Sequence, residues 1–285
     1  MMNEVKTVGE PLVSVIIRTC GRPDVLSNAL ESIRKQSYHN IEVVIIEDGL
    51  NVSEKYISDN YCDLQIVYFS TGQKGGRCRA GNIGLEKASG EYLNFLDDDD
   101  ILLPNHVSLL VEKLIGSEYK VAYSIAEEHQ FLVSTKDGKR TIKRKFVRFK
   151  QQFNRLLLCY MNYFPIQSVM FERSLYEECG GFDTNSEMLE DWDFWLRMAL
   201  KADFLFVPEI TSVYYTQYKS KGKRNRDIEM NDSRQYFAQK HKNYIVNMSS
   251  AQICEEIDYV LNVYNKKKFL FYAQKVRNFL LYRDI

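Results

Sequence analysis

The segment NFLDDDDILLP, residues 94–104, places four consecutive aspartates directly after an apolar run and returns at once to Ile-Leu-Leu-Pro. Adjacent carboxylates repel one another, and acids with a purely structural role are normally spread over a solvated face. A cluster of hard oxygen ligands at a strand end suits a divalent cation such as Mg²⁺ or Mn²⁺. The alternative is a solvated turn in which Asp100 caps a helix over the following residues.

Outward from this segment, buried strands alternate with helices through the N-terminal half. Strands are predicted at 12–19, 41–49, 64–70 and 91–98, and helices at 25–37 and 76–89. This alternation predicts an α/β fold with a mostly parallel sheet flanked by helices. Because ligands of such sheets bind beyond the carboxyl ends of the strands, three groups should share one edge: Thr19 to Arg22, Asp48, and Asp97 to Asp100.

A second acidic cluster opens the helical pattern GGFDTNSEMLEDWDFWLRMAL, residues 180–200. Helical spacing turns Trp192 and Trp195 inward and leaves Asp191 on another face. A carboxylate beside apolar aromatic rings tends to have a raised pKa, which suits a general base. Acids that merely stabilise a helix N-terminus are the alternative interpretation.

Composition limits the choice of partners. The chain has 285 residues, 45% of them hydrophobic, and its 38 Lys+Arg balance 38 Asp+Glu, so no overall charge attracts nucleic acid. No run approaches the roughly 20 apolar residues of a spanning helix, and residues 1–19 do not resemble a signal peptide, so a cytoplasmic location is expected. Six widely spaced cysteines without a CxxC pair predict reduced, mostly packed thiols.

In this order and spacing, the segments resemble family 2 glycosyltransferases with the GT-A fold. The resemblance covers about residues 11–218. It rests on VSVIIRTCGRP, ALESIRKQSYHNIEVVIIEDG, RAGNIGLEKASGEYLNFLDDDDILLP, and GGFD followed by EDWDFWLR.

The resemblance implies a GT-A, Rossmann-like domain over 1–230, with a nucleotide-binding half at about 11–100 and an acceptor-binding half at about 101–230. A C-terminal helical extension would follow at 231–285. The implied reaction inverts the anomeric carbon, with Mn²⁺ or Mg²⁺ as cofactor. It transfers a sugar from a nucleoside-diphosphate sugar to a glycan or lipid-linked acceptor in surface polysaccharide or lipopolysaccharide assembly. UDP-sugars are the expected donor class, with dTDP-sugars as the alternative.

On the donor side, the resemblance places Thr19 and Arg22 at the nucleotide, Asp48 at the N–H of a uracil or thymine base, and Arg79 near the donor. The acidic cluster resembles the DxD element. Asp98 is expected near the ribose and Asp99 on the metal, while Asp97 either contacts the metal or shapes the turn.

On the acceptor side, Asp191 matches the catalytic base, and Glu190 and Trp192 lie beside it in the acceptor cleft. The base would take a proton from an acceptor hydroxyl, whose oxygen then attacks the anomeric carbon directly. No covalent nucleophile is required, so the cysteines keep a structural role.

The chain departs from the family pattern in two places. Arg18 replaces a frequent proline, and Cys20 replaces an aromatic residue that often lies against the base. Many relatives show an Arg and a His in a Y-R-x-H pattern, and in that neighbourhood this chain has Gln217 and Tyr218. The basic residues of 219–226 either supply the missing phosphate-side contact from a closing loop or form a solvated loop.

Two further segments concern partners. KDGKRTIKRKFVRFK, residues 136–150, carries eight cations and one acid. It is either the solvated face of a hairpin or a surface for anionic headgroups or a lipid-linked diphosphate at the inner membrane surface. Residues 251–283 read as two amphipathic helices that can pack on the domain, form a homodimer contact or lie at the membrane surface.

Two other classes of protein would also use the acids. A sugar-nucleotide pyrophosphorylase shares the architecture and metal, but its first strand should lead into a Gly-rich phosphate loop, and TCGRPD is not one. A non-catalytic calcium- or carbohydrate-binding module needs no chemistry, but DDDDILLP lacks the D-x-D-x-D-G spacing of an EF-hand.

Overall fold

The computed structural model describes residues 9–134, 138–186, 188–218 and 223–263, without the side chains of 223–229 and 263. In this part of the chain nine strands form one sheet. Among the described residues, no helix is both long and apolar enough to cross a bilayer.

The N-terminal half is parallel, in the order β3-β2-β1-β4. Its strands lie within about two residues of the predicted bounds, which confirms them. The elements are β1 (Val13–Thr19), α1 (Pro23–Arg34), β2 (Ile41–Glu47), α2 (Glu54–Asn60), β3 (Gln65–Ser70), α3 (Arg77–Lys87) and β4 (Tyr92–Asp97).

The second half extends the same sheet from β4 in the order β8-β6-β9-β5, and β7 pairs with β6. A short 3₁₀ helix, Ile166–Ser168, precedes β8. The remaining elements are β5 (Ile101–Leu102), α4 (His106–Leu114), β6 (Val121–Val133), β7 (Arg140–Val147), α5 (Arg155–Tyr160), β8 (Val169–Glu172), α6 (Arg173–Cys179), α7 (Glu190–Ala199), β9 (Phe204–Gln217), α8 (Lys223–His241) and α9 (Ser250–Val263).

Strand direction defines one functional edge. β8 is antiparallel to both β4 and β6, so β6 runs parallel to β4. The carboxyl ends of β1, β2, β4 and β6 therefore point the same way. Buried side chains form two cores on opposite faces of the sheet: Ile16 lies in one, Val15 and Ile17 in the other.

Asp100 does not cap a helix, so that alternative for the acidic cluster is wrong. Residues 101–102 form β5, which pairs with β9, and α4 begins only after Asn105. Asp100 instead accepts the backbone N–H of Tyr215 at 3.0 Å. The cluster is therefore a turn between two strands.

The cysteine prediction needs a partial correction. All six cysteines are free thiols, as expected. Only Cys78 is buried, whereas Cys20, Cys62, Cys159 and Cys254 are exposed, so the thiols are not mostly packed.

The C-terminal part supplies two helices. α9 matches the first of the two predicted tail helices, and the second lies outside the described residues. The domain boundary near residue 230 stays a prediction, and α8 runs across that position.

Helix α3 approaches the sheet closely because it carries glycine at two contact points. A Cβ at Gly84 would lie 2.4 Å from Ile16 Cγ2, and one at Gly81 would lie 2.5 Å from Phe182. A side chain at position 84 would push the helix away from β1, and one at position 81 would push it away from Phe182. The approach places the N-terminus of α3, with Arg77 and Arg79, at the functional edge.

Gly84→Ala should therefore destabilise the fold by about 1–3 kcal/mol through overpacking against Ile16. Urea denaturation measures the change. Glu86→Ala, at an exposed position of the same helix, is the matched control and should stay within about 0.5 kcal/mol of wild type. Equal stability of the two variants would show that α3 can move without cost.

Candidate active site

Arg18 connects the two acidic clusters. Its guanidinium, 7% exposed, donates to Asp97 Oδ1 at 2.7 Å and to Glu190 Oε1 at 3.3 Å. Phe95 and Phe182 flank it, each with its ring centroid 5.7 Å away. Burial acts against its charge, but Asp97 and Glu190 raise the pKa of Arg18, so it remains a cation. The end of β4 and the start of α7 are thereby held together.

Asp98 is enclosed by protein donors. Its side chain, 1% exposed, accepts Thr19 Oγ1–H at 2.7 Å and a bidentate pair from Arg22, with Nε at 3.1 Å. Desolvation raises the pKa of Asp98 to about 6, against the pull of Thr19 and Arg22. The structure thus brings together three residues predicted at the donor, and binds them to one another.

Asp97 and Asp99 keep accessible oxygens on either side of Asp98. Their side chains are 34% and 35% exposed. Desolvation acts against the charge of Asp97, but Arg18 holds the pKa of Asp97 below its usual value. Asp99 accepts no hydrogen bond from the described residues, and Arg22 Nη1 lies 4.0 Å from its Oδ2.

These two carboxylates fit a divalent cation that also binds phosphate. Within the described ranges, no group of three His, Cys, Asp or Glu side chains could hold a metal ion. A cation here would need further ligands from phosphate and water, which is how Mg²⁺ is usually bound. Neither oxygen of the Asp99 carboxylate accepts a hydrogen bond from a described residue. In Asp97 the same holds for Oδ2, because Arg18 donates to Oδ1.

Asp48 organises a loop beside the acidic turn. Its two oxygens accept the backbone N–H groups of Gly75 at 2.6 Å and Gly76 at 2.9 Å. Arg79 lies across the same loop, since a Cβ on Gly75 would be 2.7 Å from Arg79 Cδ. The predicted base contact of Asp48 stays a prediction, and here the carboxylate holds the loop that leads into α3.

Glu47 was not predicted as a site residue, yet it joins three segments of the edge. This fully buried carboxylate accepts the N–H groups of Gly21, at 2.9 Å, and of Val52 and Ser53, together with the hydroxyl of Tyr68. Desolvation opposes its charge, but these donors lower the pKa of Glu47. The available signal was an acid beside Asp48 at the end of a buried strand.

Asp191 lies in the first turn of α7, after the strained residue Leu189. Leu189 has φ 65°, the left-handed region, and is the one non-glycine residue of the described chain with a positive φ. Such strain often marks functional positions. Asp191 accepts Asn162 Nδ2–H and the Trp192 N–H, both at 2.8 Å.

The electrostatic surroundings of Asp191 suit proton transfer. Desolvation and the neighbouring Glu190 raise the pKa of Asp191 to about 7, against the pull of the Trp192 N–H and Arg18. A base with a pKa near the working pH combines the correct protonation state with useful basicity. Asn162 was missed by the sequence reading, because it lies 29 residues away in the chain.

Glu190 and Trp192 flank Asp191 but are engaged with protein groups. Glu190, 4% exposed, pairs with Arg18 and with Arg77 at 3.4 Å. The Trp192 indole donates to Leu158 O at 2.6 Å and stacks on Phe237, with ring centroids 4.1 Å apart. Their acceptor-side roles stay predictions.

Helix α8 forms ion pairs and hydrogen bonds with α7, the helix that carries Asp191. Asp193, 5% exposed, accepts His241 Nε2 and Lys240 Nζ, each at 2.7 Å, and Arg197 Nε at 2.9 Å. Lys240 also pairs with Asp183 of the GGFD segment at 2.7 Å. The basic residues of 219–226 were predicted near the phosphates. Residues 219–222 lie outside the described residues, and so do the side chains of 223–226.

Arg18→Met should lower the free energy of unfolding by about 3 kcal/mol at pH 7.5, because it breaks a buried ion pair. This value is at the low end of the range for such pairs, since the Asp97 side chain is one third exposed. Without its cation, Asp97 is disfavoured in its ionised form. The loss should therefore shrink as the pH falls toward 4.5 and the carboxylate takes up a proton. Urea denaturation at both pH values measures it.

Lys120→Met, which breaks an exposed pair with Glu178, is the control and should cost less than about 1 kcal/mol at either pH. A pH-independent loss in Arg18→Met would contradict the assigned electrostatic role.

Comparisons with known proteins agree with the geometry. The model of the family described as glycosyl transferase family 2 matches residues 14–180. The uncharacterized glycosyltransferase YwdF of Bacillus subtilis is 29% identical over 203 residues, which is 71% of this chain and 73% of that protein. A shorter match, 37% over 106 residues, covers 36% of this chain and 34% of the GalNAc(5)-diNAcBac-PP-undecaprenol beta-1,3-glucosyltransferase of Campylobacter jejuni.

Solved structures share the fold. Residues 1–349 of TarS from S. aureus in complex with UDP-GlcNAc align with a TM-score of 0.64 at 15% identity, over 90% of this chain and 75% of that one. This chain covers 45% of the longer TarS chain. The mannosyltransferase PcManGT from Pyrobaculum calidifontis, in complex with GDP-Man and Mn²⁺, aligns with a TM-score of 0.63 at 16% identity. The alignment covers 94% of this chain and 74% of that one.

These neighbours confirm the α/β sheet predicted from the strand pattern and the GT-A fold that the resemblance implied. The family model covers more than half of the residues and includes the strands and turns that carry Arg18, Asp48 and the aspartate cluster. The chain belongs to glycosyl transferase family 2.

Proposed function

We propose that this glycosyltransferase transfers a sugar from a UDP-sugar to a hydroxyl of a glycan or lipid-linked acceptor, with inversion and with Mn²⁺ or Mg²⁺. One observation carries the proposal: Arg18 joins the aspartate turn to the start of α7. Accessible carboxylates and a base of raised pKa thus flank one buried cation at the edge where α/β sheets bind ligands.

The donor side supplies cations and a fixed loop for a nucleoside diphosphate. Arg22 is half exposed, and Arg77 and Arg79 are exposed at the start of α3. An exposed guanidinium group can donate two parallel hydrogen bonds to the oxygens of one phosphate. A UDP donor is supported by the TarS complex, and Asp48 and its loop are the proposed base-side contact.

Asp99, together with Asp97, is proposed to hold the metal ion. A divalent cation bound there would stabilise the charge of the departing nucleoside diphosphate. The Mn²⁺ complex of PcManGT supports metal use in this fold. Thr19, Asp98 and Arg22 keep the turn in place, and the neighbouring Asp99 side chain is 35% exposed.

Asp191 is proposed to accept the proton of the acceptor hydroxyl while that oxygen attacks the anomeric carbon. Asn162 and the Trp192 N–H orient its two oxygens. A single displacement needs no covalent nucleophile and inverts the configuration.

The acceptor is proposed to be glycan or lipid-linked, at the cytoplasmic face of a membrane, in surface polysaccharide or lipopolysaccharide assembly. The name of the Campylobacter relative, which specifies a polyprenyl diphosphate acceptor, supports this class. The shared segment is about a third of each chain, so the acceptor is tested separately from the donor.

Asp99→Ala and Asp191→Asn should separate binding from chemistry. Asp99→Ala should lose Mn²⁺-dependent UDP binding, measured by calorimetry with Mn²⁺ or EDTA. Asp191→Asn should keep that binding and lose about 10²–10⁴-fold in kcat, measured as UDP release from a panel of UDP-sugars with candidate acceptors. Asp59→Asn, an exposed acid of α2, should match wild type. Normal metal-dependent binding by Asp99→Ala would refute the metal assignment.

The pH profile of kcat/KM should show an acidic limb near 7, the pKa of Asp191. Asn162→Ala removes a donor that favours the ionised carboxylate, so the limb should move upward by roughly 0.5–1 unit. Asn105→Ala, at an exposed residue whose side chain makes no cap hydrogen bond, should leave the limb in place. A lower kcat with an unmoved limb would mean that Asn162 only shapes the fold.

A further inference from the structure

A ribbon of three strands projects beyond the active-site edge. It comprises residues 127–134 at the end of β6, residues 138–150 around β7, and residues 213–217 of β9. Through β8, Leu93 of β4 and Val121 of β6 both lie opposite Phe171. β6 therefore continues about eight residues, or roughly 25 Å, past the level of Asp97. Anything that holds this ribbon sets the orientation of the site.

The ribbon concentrates positive charge in a chain that is neutral overall. Residues 127–134 and 138–150 hold seven Lys and Arg and two Glu. Both carboxylates are already engaged, Glu127 with His129 at 2.5 Å and Glu128 with Arg148 at 2.7 Å. Five exposed cations have no ion pair with any described residue: Arg140, Lys143, Arg144, Lys145 and Lys150.

Aliphatic side chains are exposed among these cations. Leu132, Val133 and Ile142 are 38%, 42% and 39% exposed near the projecting end. Lysines on an edge strand also discourage strand pairing, but that function needs no exposed aliphatic groups. Cations surrounding a small apolar end match the chemistry of a bilayer interface, with phosphates outside and acyl chains beneath.

Nucleic acid fits this surface less well. Single strands are bound by stacking on free aromatic faces. Two aromatic rings of the ribbon already carry guanidinium groups, since Arg140 lies over Phe131 and Arg148 over Phe146.

We propose that the ribbon rests on an anionic phospholipid bilayer and directs the active-site edge toward it. Arg140, Lys143, Arg144 and Lys145 would contact headgroup phosphates, and Val133 and Ile142 would enter the interface. The inference rests on the proposed function, because a lipid-linked acceptor presents its hydroxyl near a bilayer.

Vesicle cosedimentation tests the surface without any turnover. The wild-type chain should bind vesicles of phosphatidylcholine with 30% phosphatidylglycerol, and should not bind phosphatidylcholine alone. The triple variant K143Q/R144Q/K145Q should lose about 100-fold in partitioning, at roughly fivefold per charge. K35Q/K113Q/K201Q, which removes three exposed lysines outside the ribbon, should bind like wild type.

A second variant, V133S/I142S, should lose the binding that persists in 0.5 M salt, where charge attraction is screened. Absence of binding by wild type, equal binding by the triple variant, or binding of RNA instead of vesicles would overturn the proposal.

UDP release with a water-soluble acceptor separates this proposal from the proposed function. The triple variant should keep wild-type turnover there, because no ribbon cation contacts Asp97, Asp99 or Asp191 among the described residues. Vesicle binding without turnover on any UDP-sugar would refute the proposed function and leave the ribbon assignment standing.

Discussion

One buried guanidinium holds the active-site edge together. Six carboxylates gather there, from Asp97 to Asp100 and at Glu190 and Asp191, and like charges at this density oppose one another. Burial and mutual repulsion raise the pKa of Asp98 and Asp191 to about 6 and about 7, and that of Asp100 well above its usual value. Arg18 compensates two of these charges directly and fixes the distance between the metal-side turn and the base-side helix.

The acids of this edge divide into those bound by protein and those left accessible. Glu47, Asp48 and Asp98 accept backbone N–H, hydroxyl or guanidinium donors, and they hold the loops after β1, β2 and β3. Asp99 and one oxygen of Asp97 have no such donor within the described chain. A carboxylate without a protein donor is open to a ligand. Acidic residues therefore have two roles at this edge: some hold the loops in place, and others are available to bind a ligand.

Sequence patterns predicted the parallel half well, because its strands are continuous apolar runs and its acids stand at their ends. They also placed Asp191 on a helix with inward tryptophans. Burial of Asp98 and the contact of Asn162 with Asp191 depend on packing between distant segments, which periodicity does not report. The sequence marks Arg18 only as the replacement of a frequent proline, because a buried cation is recognisable only once both acidic partners are in place.

The most direct test of this account is anomalous diffraction from crystals grown with UDP and Mn²⁺. We predict a manganese peak within coordination distance of the Asp99 carboxylate, with Arg18 still bound to Asp97 and Glu190. UDP bound at this edge with no metal at Asp99, or manganese bound at another cluster, would contradict the roles assigned to the four aspartates.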